Sequence, residues 1–368
     1  MMKTVAIIMA GGSGERFWPL SRQAYPKQLL KLKDDQHMLS MAIRRIAPVV
    51  PPEDIYVVTV QPLVDAIQRE TPELPEENVI AEPEARNTAA CLTLASALIA
   101  EKYGDATVVV LTADHFIHDE EAFQADCRMA AQFVSETDGL MTFGVRPNRP
   151  ETGYGYIETG MPASNKFPVF TVNSFREKPD LQTARRFLED GDFSWNSGMF
   201  VWRNSIFLRE LELHLPAMYS ALPDLQKALR EKSAALLADT YRRLEKISID
   251  VGLMERTDRV YVIRASFDWD DIGTWASLFR VLERDGSGNA VYGNSLFLKS
   301  RGSLAYSVNG CGELSTSPED NRLVIGYNLE DIIIVNTPDA VLVLPANDVQ
   351  KVKDVVAYLR AHNKKDHL

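Results

Sequence analysis

The sequence has no long apolar run. Nothing in it approaches the roughly 20 consecutive apolar residues of a membrane-spanning helix, and VAIIMA, Val5 to Ala10, is too short for the core of a signal peptide. Positive charge is also short. Lys and Arg number 40 against 51 Asp and Glu, a formal net charge of -11. Non-specific binding to nucleic acid or to an anionic membrane needs a basic face, so neither is expected as a partner. Any anionic ligand must then be met by a local cluster of Arg and Lys. Cysteine is scarce: Cys91, Cys127 and Cys311 lie far apart and form no CxxC pair. That excludes a disulfide framework and a thiolate metal site, and fits incidental thiols in a reducing cytoplasm.

What is present is a series of short β-branched runs: TVAIIM (4 to 9), DIYVVTV (54 to 60), ATVVVL (106 to 111) and GLMTFGV (139 to 145). Between them lie segments with helical spacing. In NTAACLTLASALIAEKY (87 to 103), Leu92, Ala95, Leu98 and Ile99 share one face. Strands alternating with helices predict an α/β fold, a Rossmann-like, mostly parallel sheet with helices on both faces. Ligands in such sheets sit at the carboxyl ends of strands, where the glycine-rich stretch after VAIIMA and the later LTADH (111 to 115) both fall.

The region 205 to 246 reads as helical, with a return to strand at RVYVIRASF (259 to 267). The polar, glycine-rich ERDGSGNA (283 to 290) is the candidate boundary. It divides the chain into domains 1–285 and 286–368. The second reads as small and β-rich, with a short left-handed β-helix as one form open to it, and ends in the amphipathic NDVQKVKDVVAYLRAH (347 to 362).

The stretch MAGGSGERFWPLSRQAYPKQLLKL (9 to 32) is neither of the common nucleotide loops. It lacks the GK and hydroxyl of GxxxxGK[ST], and GxGxxG fails because Phe17 follows Arg16. What remains is a glycine backbone whose N–H groups can face an anion, followed by Arg16, Arg22 and Lys27 within a dozen residues. Pro19 and Pro26 stiffen the stretch. A solvent-exposed basic turn is the alternative.

GGSGERFWPLSR followed by PKQLL resembles the signature of sugar-phosphate nucleotidyltransferases, and within them the mannose-1-phosphate guanylyltransferase family, GGxGxRLWPLSRxxxPKQ. Glu15 and Phe17 stand where that family more often has a small hydroxyl residue and Leu. The resemblance continues in EPEARNTAA (82 to 90), LTADH, TGYGYI (152 to 157), FREKPD (175 to 180), WNSGMFVW (195 to 202) and DWDDIGTW (268 to 275).

The resemblance implies an enzyme that forms GDP-mannose and pyrophosphate from GTP and mannose 1-phosphate with Mg²⁺. The attacking phosphate is already an anion near neutrality, its second pKa being about 6. The chemistry therefore asks for cations and metal-binding carboxylates rather than a strong base. By match to the family motifs, Arg16, Lys27, Asp114 and Asp271 are the catalytic set, with Asp114 and Asp271 on the metal. Asp268 and Asp270 are close enough to Asp271 to leave that choice open, and Asp114 also reads as a helix cap or turn residue. Gly11, Gly12, Ser13 and Gly14, with Arg86, Asn87 and Thr88, are implied to meet the nucleotide, although Asn87 or Thr88 also reads as a plain helix cap. Gly153, Glu177, Lys178 and Asn196 are implied to line the sugar-phosphate pocket, against the plainer reading of Glu177 and Lys178 as a solvated surface pair. Trp202 and Trp275 read as core.

Some relatives carry a metal-dependent isomerase domain, but no histidine stands between His214 and His362, so the appended region is expected to lack that chemistry. The family often pairs subunits, which implies a homodimer. Two rivals remain at this level: a transferase for another sugar 1-phosphate or base, and a catalytically silent regulatory homologue.

Overall fold

The computed structural model describes residues 2–12, 14–22, 25–32, 36–308 and 322–368. The chain gathers into two compact units, each assembled from separate segments. The first comprises residues 1–11, 42–113 and 117–269, and the second 12–41, 114–116 and 270–368.

The first unit is built on one nine-stranded sheet. Its strands are β1 (Thr4–Met9), β2 (Ile55–Val60), β3 (Val79–Glu82), β4 (Thr107–Thr112), β5 (Leu140–Val145), β6 (Gly155–Pro162), β7 (Val169–Arg176), β8 (Phe193–Arg203) and β9 (Val260–Arg264). Their order is β3-β2-β1-β4-β8-β5-β9-β7-β6. The parallel arrangement expected of the β-branched runs holds for β1, β2 and β4, and the short β3 extends it beyond β2. Val5, Ile7, Val58, Val108 and Val110 are buried there, as strands covered on both faces require. Beyond β4 the sheet turns mixed, because β8 runs antiparallel to both β4 and β5. Helices cover both faces, among them Asn87–Tyr103, whose Leu92, Ala95 and Ile99 join the main core. Trp202 is fully buried in that core, stacked on Phe207 with ring centroids 4.6 Å apart. Cys91 and Cys127 are buried free thiols, and burial raises both pKa values, so they are inert core residues. Cys311 lies outside the described residues.

The second unit carries β10 (Ala290–Tyr292), β11 (Ser295–Leu298), β12 (Leu304–Ser307), β13 (Val324–Tyr327), β14 (Ile332–Asn336) and β15 (Val341–Pro345), then the helix Val352–Ala361. β10, β12 and β14 pair in parallel, as do β11 and β13. Successive passes of the chain thus stack as the rungs of a β-helix, and β15 closes antiparallel on β14. The core of this unit joins residues far apart in sequence. Phe17, Trp18 and Leu20 pack with Trp275, Leu304, Tyr306 and Val356. The Trp275 indole N–H donates to the Trp18 carbonyl at 3.1 Å, and the Tyr306 hydroxyl to the carbonyls of Lys31 and Leu32, each at 3.1 Å.

Candidate active site

In the second unit the glycine stretch is held against Lys27. Gly14 has φ +61° and caps the short turn Glu15–Phe17. A Cβ at Gly14 would lie 2.5 Å from Lys27 Cβ, so both the left-handed backbone and the close approach demand glycine. Ser21 Oγ fixes the same residue from the other side by donating to the Gly14 carbonyl at 2.7 Å. Lys27 is buried in the turn Lys27–Leu29, and its ammonium donates to Asp114 Oδ2 at 2.7 Å. Arg16 is exposed and makes no ion pair among the described residues.

Asp114 stands two positions after Thr112, the last residue of β4. Two residues further on, Phe116 pairs with Asp270 in an isolated antiparallel bridge, N–H to carbonyl at 2.8 and 3.0 Å. Asp114 thus lies two residues before, and Asp271 one residue after, the two partners of this bridge. Gly273 leaves room for the second carboxylate, since a Cβ there would sit 3.2 Å from both Asp271 oxygens. The neighbouring acids have other tasks. Asp270 takes both nitrogens of the Arg280 fork at 3.0 Å, and in the first unit Asp268 accepts from the backbone N–H groups of His118 and Asp119 at 2.9 and 3.0 Å.

The first unit holds two further clusters. In one, Lys178 Nζ donates to Glu177 Oε1 at 2.7 Å, with Lys178 at φ +47°. Asn196 is buried. Its Nδ2 donates to Asp250 Oδ1 at 2.8 Å, and its Oδ1 accepts from the Thr142 hydroxyl and the Gly198 N–H. Asp250 opens a π-helical turn, Asp250–Met254. Burial, and then the charge of Glu177, push its carboxyl up to about 6. Sequence reading missed Asp250; an irregular turn interrupting a helical region is its only local trace. The glycine crowded by this cluster is Gly155, where a Cβ would lie 2.5 Å from Glu177 Oε2 and 3.2 Å from Asn196 Cβ. Gly153 is exposed, beside Glu151.

The other cluster lies at the ends of β1 and β3. Glu82 closes β3, is buried, and accepts at Oε1 from the Tyr241 hydroxyl; burial raises its pKa. Its Oε2 faces Gly11, 3.6 Å from where a Cβ would stand. Arg86 is tied to Glu84 and to the Leu244 carbonyl, at 2.5 and 2.6 Å. The helix starts at Asn87 without a side-chain cap. Asn87 Oδ1 accepts from the Thr88 N–H, and the Thr88 hydroxyl accepts from the Ile249 N–H, one residue before Asp250. Gly12 is exposed at φ +103°, and Ser13 lies outside the described residues. No group of three or more His, Cys, Asp or Glu poised to hold a metal occurs among the described residues.

Residues 5–287 match the Nucleotidyl transferase family, and 318–359 match the MannoseP isomerase/GMP-like beta-helix domain. A mannose-1-phosphate guanylyltransferase of Escherichia coli K12 is 37% identical over 99% of this chain and 75% of its own length. The chain belongs to the mannose-1-phosphate guanylyltransferase family. It is a nucleotidyltransferase. The xanthan biosynthesis protein XanB of Xanthomonas campestris is 36% identical over 98% of this chain and 74% of its own. The crystal structure of a Thermus thermophilus protein described as mannose-1-phosphate geranyltransferase superposes with a TM-score of 0.85 at 33% identity, covering 98% of this chain and all of that one. A Helicobacter pylori protein described as mannose-6-phosphate isomerase is 28% identical, with a TM-score of 0.58 over 72% of this chain and 99% of its own. No helix among the described residues is long and apolar enough to cross a membrane.

Proposed function

We propose that the protein transfers the guanylyl group of GTP to mannose 1-phosphate, releasing pyrophosphate and forming GDP-mannose with the help of Mg²⁺. The observation that carries this reading is the Asp114 carboxylate held by the buried Lys27 after β4, with Asp271 adjoining the backbone bridge between Phe116 and Asp270. Hard oxygen donors of this kind fit Mg²⁺, which takes one or two protein carboxylates and completes its shell with water and phosphate oxygens, whereas zinc favours closed His and Cys sets. Asp268 accepts from backbone amides and Asp270 from Arg280, and the match of DWDDIGTW to the family motif assigns Asp271 as the second ligand. When bound, the cation neutralises charge on the phosphate oxygens.

The chain's own groups divide the remaining work. Arg16 grips phosphate oxygens through its fork. Lys27 sets the orientation of Asp114 and adds positive charge where pyrophosphate departs. Lys178 meets the sugar phosphate, while Glu177 and Asp250 accept hydrogen bonds from sugar hydroxyls and Asn196 is held between Thr142 and Asp250. No group needs to act as a strong base, because the nucleophile arrives as an anion. Glu82 Oε2, toward Gly11, supplies an acceptor for the N–H donors on the edge of guanine, and the family motifs assign the glycine stretch and Arg86, Asn87 and Thr88 to the nucleotide.

Pyrophosphate release across nucleoside triphosphates and sugar 1-phosphates tests the assignment. GTP with mannose 1-phosphate is expected to dominate. Another dominant pair would replace the substrates, and silence from folded protein would favour a regulatory homologue. We extend the reading to a cytoplasmic homodimer, which light scattering on the purified protein checks for oligomeric state.

A further inference from the structure

Five strands of the first unit pair in a closed cycle: β5 with β8, β8 with β6, β6 with β7, β7 with β9, and β9 with β5. Where β5 and β9 finish and β8 begins, this ring opens on a cavity of about 390 Å³ whose walls include Gly144, Thr159, Ser194, Asp192, Arg146 and Arg264. None of these residues belongs to the clusters assigned above to base, sugar or phosphate. A Cβ at Gly144 would lie 2.7 Å from Val262 Cγ2 and 2.8 Å from Ser194 Cβ, so no side chain can fill the floor there. Shifts of register on either side of Thr159 break the regular β6–β7 pairing beside it.

The charge of the mouth is lopsided. Its one acid is Asp192, set against two exposed arginines. Neither Arg146 nor Arg264 forms an ion pair among the described residues, whereas nearby Arg149 is paired with Glu151 at 3.2 Å. The Arg264 guanidinium lies 4.4 Å from the centroid of the Phe170 ring, and this contact restrains the side chain. Two guanidinium groups with a hydroxyl from Thr159 and another from Ser194 suit a phosphate group. The volume falls in the range of small-molecule sites, roughly 300–1,000 Å³, which favour the mouths of β-barrels.

We propose that this ring mouth is a second binding site, for a small phosphate-bearing molecule, distinct from the reacting groups. Ser194 is two residues from Asn196 on β8, and the β5–β8 register slips between Thr142 and Gly144, next to the Asn196 contacts. Occupation of the mouth therefore biases the position of Asn196, and the coupling is reciprocal.

Calorimetric titration of inorganic phosphate and of glycerol 3-phosphate into the wild type, the R146Q/R264Q variant and K178Q tests the site. Binding by either probe is expected to weaken at least about tenfold in R146Q/R264Q and to persist in K178Q. Wild-type affinity in R146Q/R264Q, or binding lost only in K178Q, would overturn the proposal. The two arginines are exposed, so a matched circular dichroism spectrum and melting temperature are expected for the double variant. A kinetic arm rests on the reaction proposed above. Glycerol 3-phosphate should shift the KM for mannose 1-phosphate in the wild type and not in R146Q/R264Q, and an equal shift in both would assign the effect to the reacting site. The binding arm does not depend on that reaction, so the two readings fail separately.

Discussion

Lys27 and Asp114, separated by 87 positions, meet at 2.7 Å, with the lysine side chain 8% exposed and the carboxylate 42%. The buried partner is the cation and the open one is the acid, so the pair presents a carboxylate whose direction is set from beneath. Asp114→Asn keeps an oxygen that accepts from Lys27, so the fold should be retained with a nearly unchanged melting temperature. Turnover in saturating Mg²⁺ should fall by about 100-fold or more, as should that of Asp271→Asn, because each removes a charge facing the phosphates. Pyrophosphate release within a few-fold of wild type for either variant would remove that residue from the metal.

Arg22 ties the glycine stretch to the far end of the chain. It takes both Asp339 oxygens at 2.9 and 3.0 Å, donates to the His367 carbonyl and lies 5.6 Å from the Trp18 ring centroid. Arg22→Ala is expected to destabilise the protein by about 1–2 kcal/mol, a value discounted for the exposed side of Asp339. Urea denaturation measures it, and an unchanged midpoint would show that the tie carries no stability.

The pH dependence of stability has its clearest source in Asp250. Its carboxyl, raised to about 6 by burial and then by Glu177, binds a proton more tightly in the folded chain than in the unfolded one, where the usual value is about 3.9. Its contribution is therefore most favourable below pH 4 and is lost as pH rises through about 6. Asp250→Asn retains an acceptor for Asn196 and removes the titration. The variant should gain stability over wild type between pH 4 and 7 and hold that gain above it. Denaturation curves that stay parallel across this range would exclude the effect.

Glu82 supplies a test of base reading. Glu82→Gln keeps an acceptor for Tyr241 but turns a carboxylate into an amide at the end of β3. Wild type should favour GTP over ITP, which lacks the exocyclic amine, by roughly tenfold or more, and Glu82→Gln should narrow that ratio in kcat/KM. An unchanged ratio would move base recognition elsewhere.

β1, β2 and β4 were legible because each is a local β-branched run, whereas the four-residue β3 carries too short a run to read, and the helix Asn87–Tyr103 was legible because its apolar spacing is local too. The turn of β8 against β4 and β5, and the closing of the five-strand ring, depend on pairings between residues tens of positions apart that no periodicity records. The glycine stretch was legible as a motif, and its partners were not. Glu15 departs from the family pattern, and its carboxylate reaches Arg360 of the last long helix at 2.9 Å, a contact 345 positions long. Asp250 sits in an irregular turn with no motif around it. Gly155 gains its meaning only from Glu177 and Asn196, which crowd it from two other strands or their ends.

Pyrophosphate release by the purified protein in Mg²⁺, with GTP and mannose 1-phosphate set against ATP, UTP, dTTP and CTP with glucose 1-phosphate, tests the central claim most directly. The account predicts that GTP with mannose 1-phosphate exceeds every other pair by at least about tenfold in kcat/KM, since a site built to bond one hydroxyl leaves groups unpaired when its epimer binds. Equal turnover of glucose 1-phosphate would contradict the mannose assignment, and no pyrophosphate from any pair with folded protein would contradict the reaction itself.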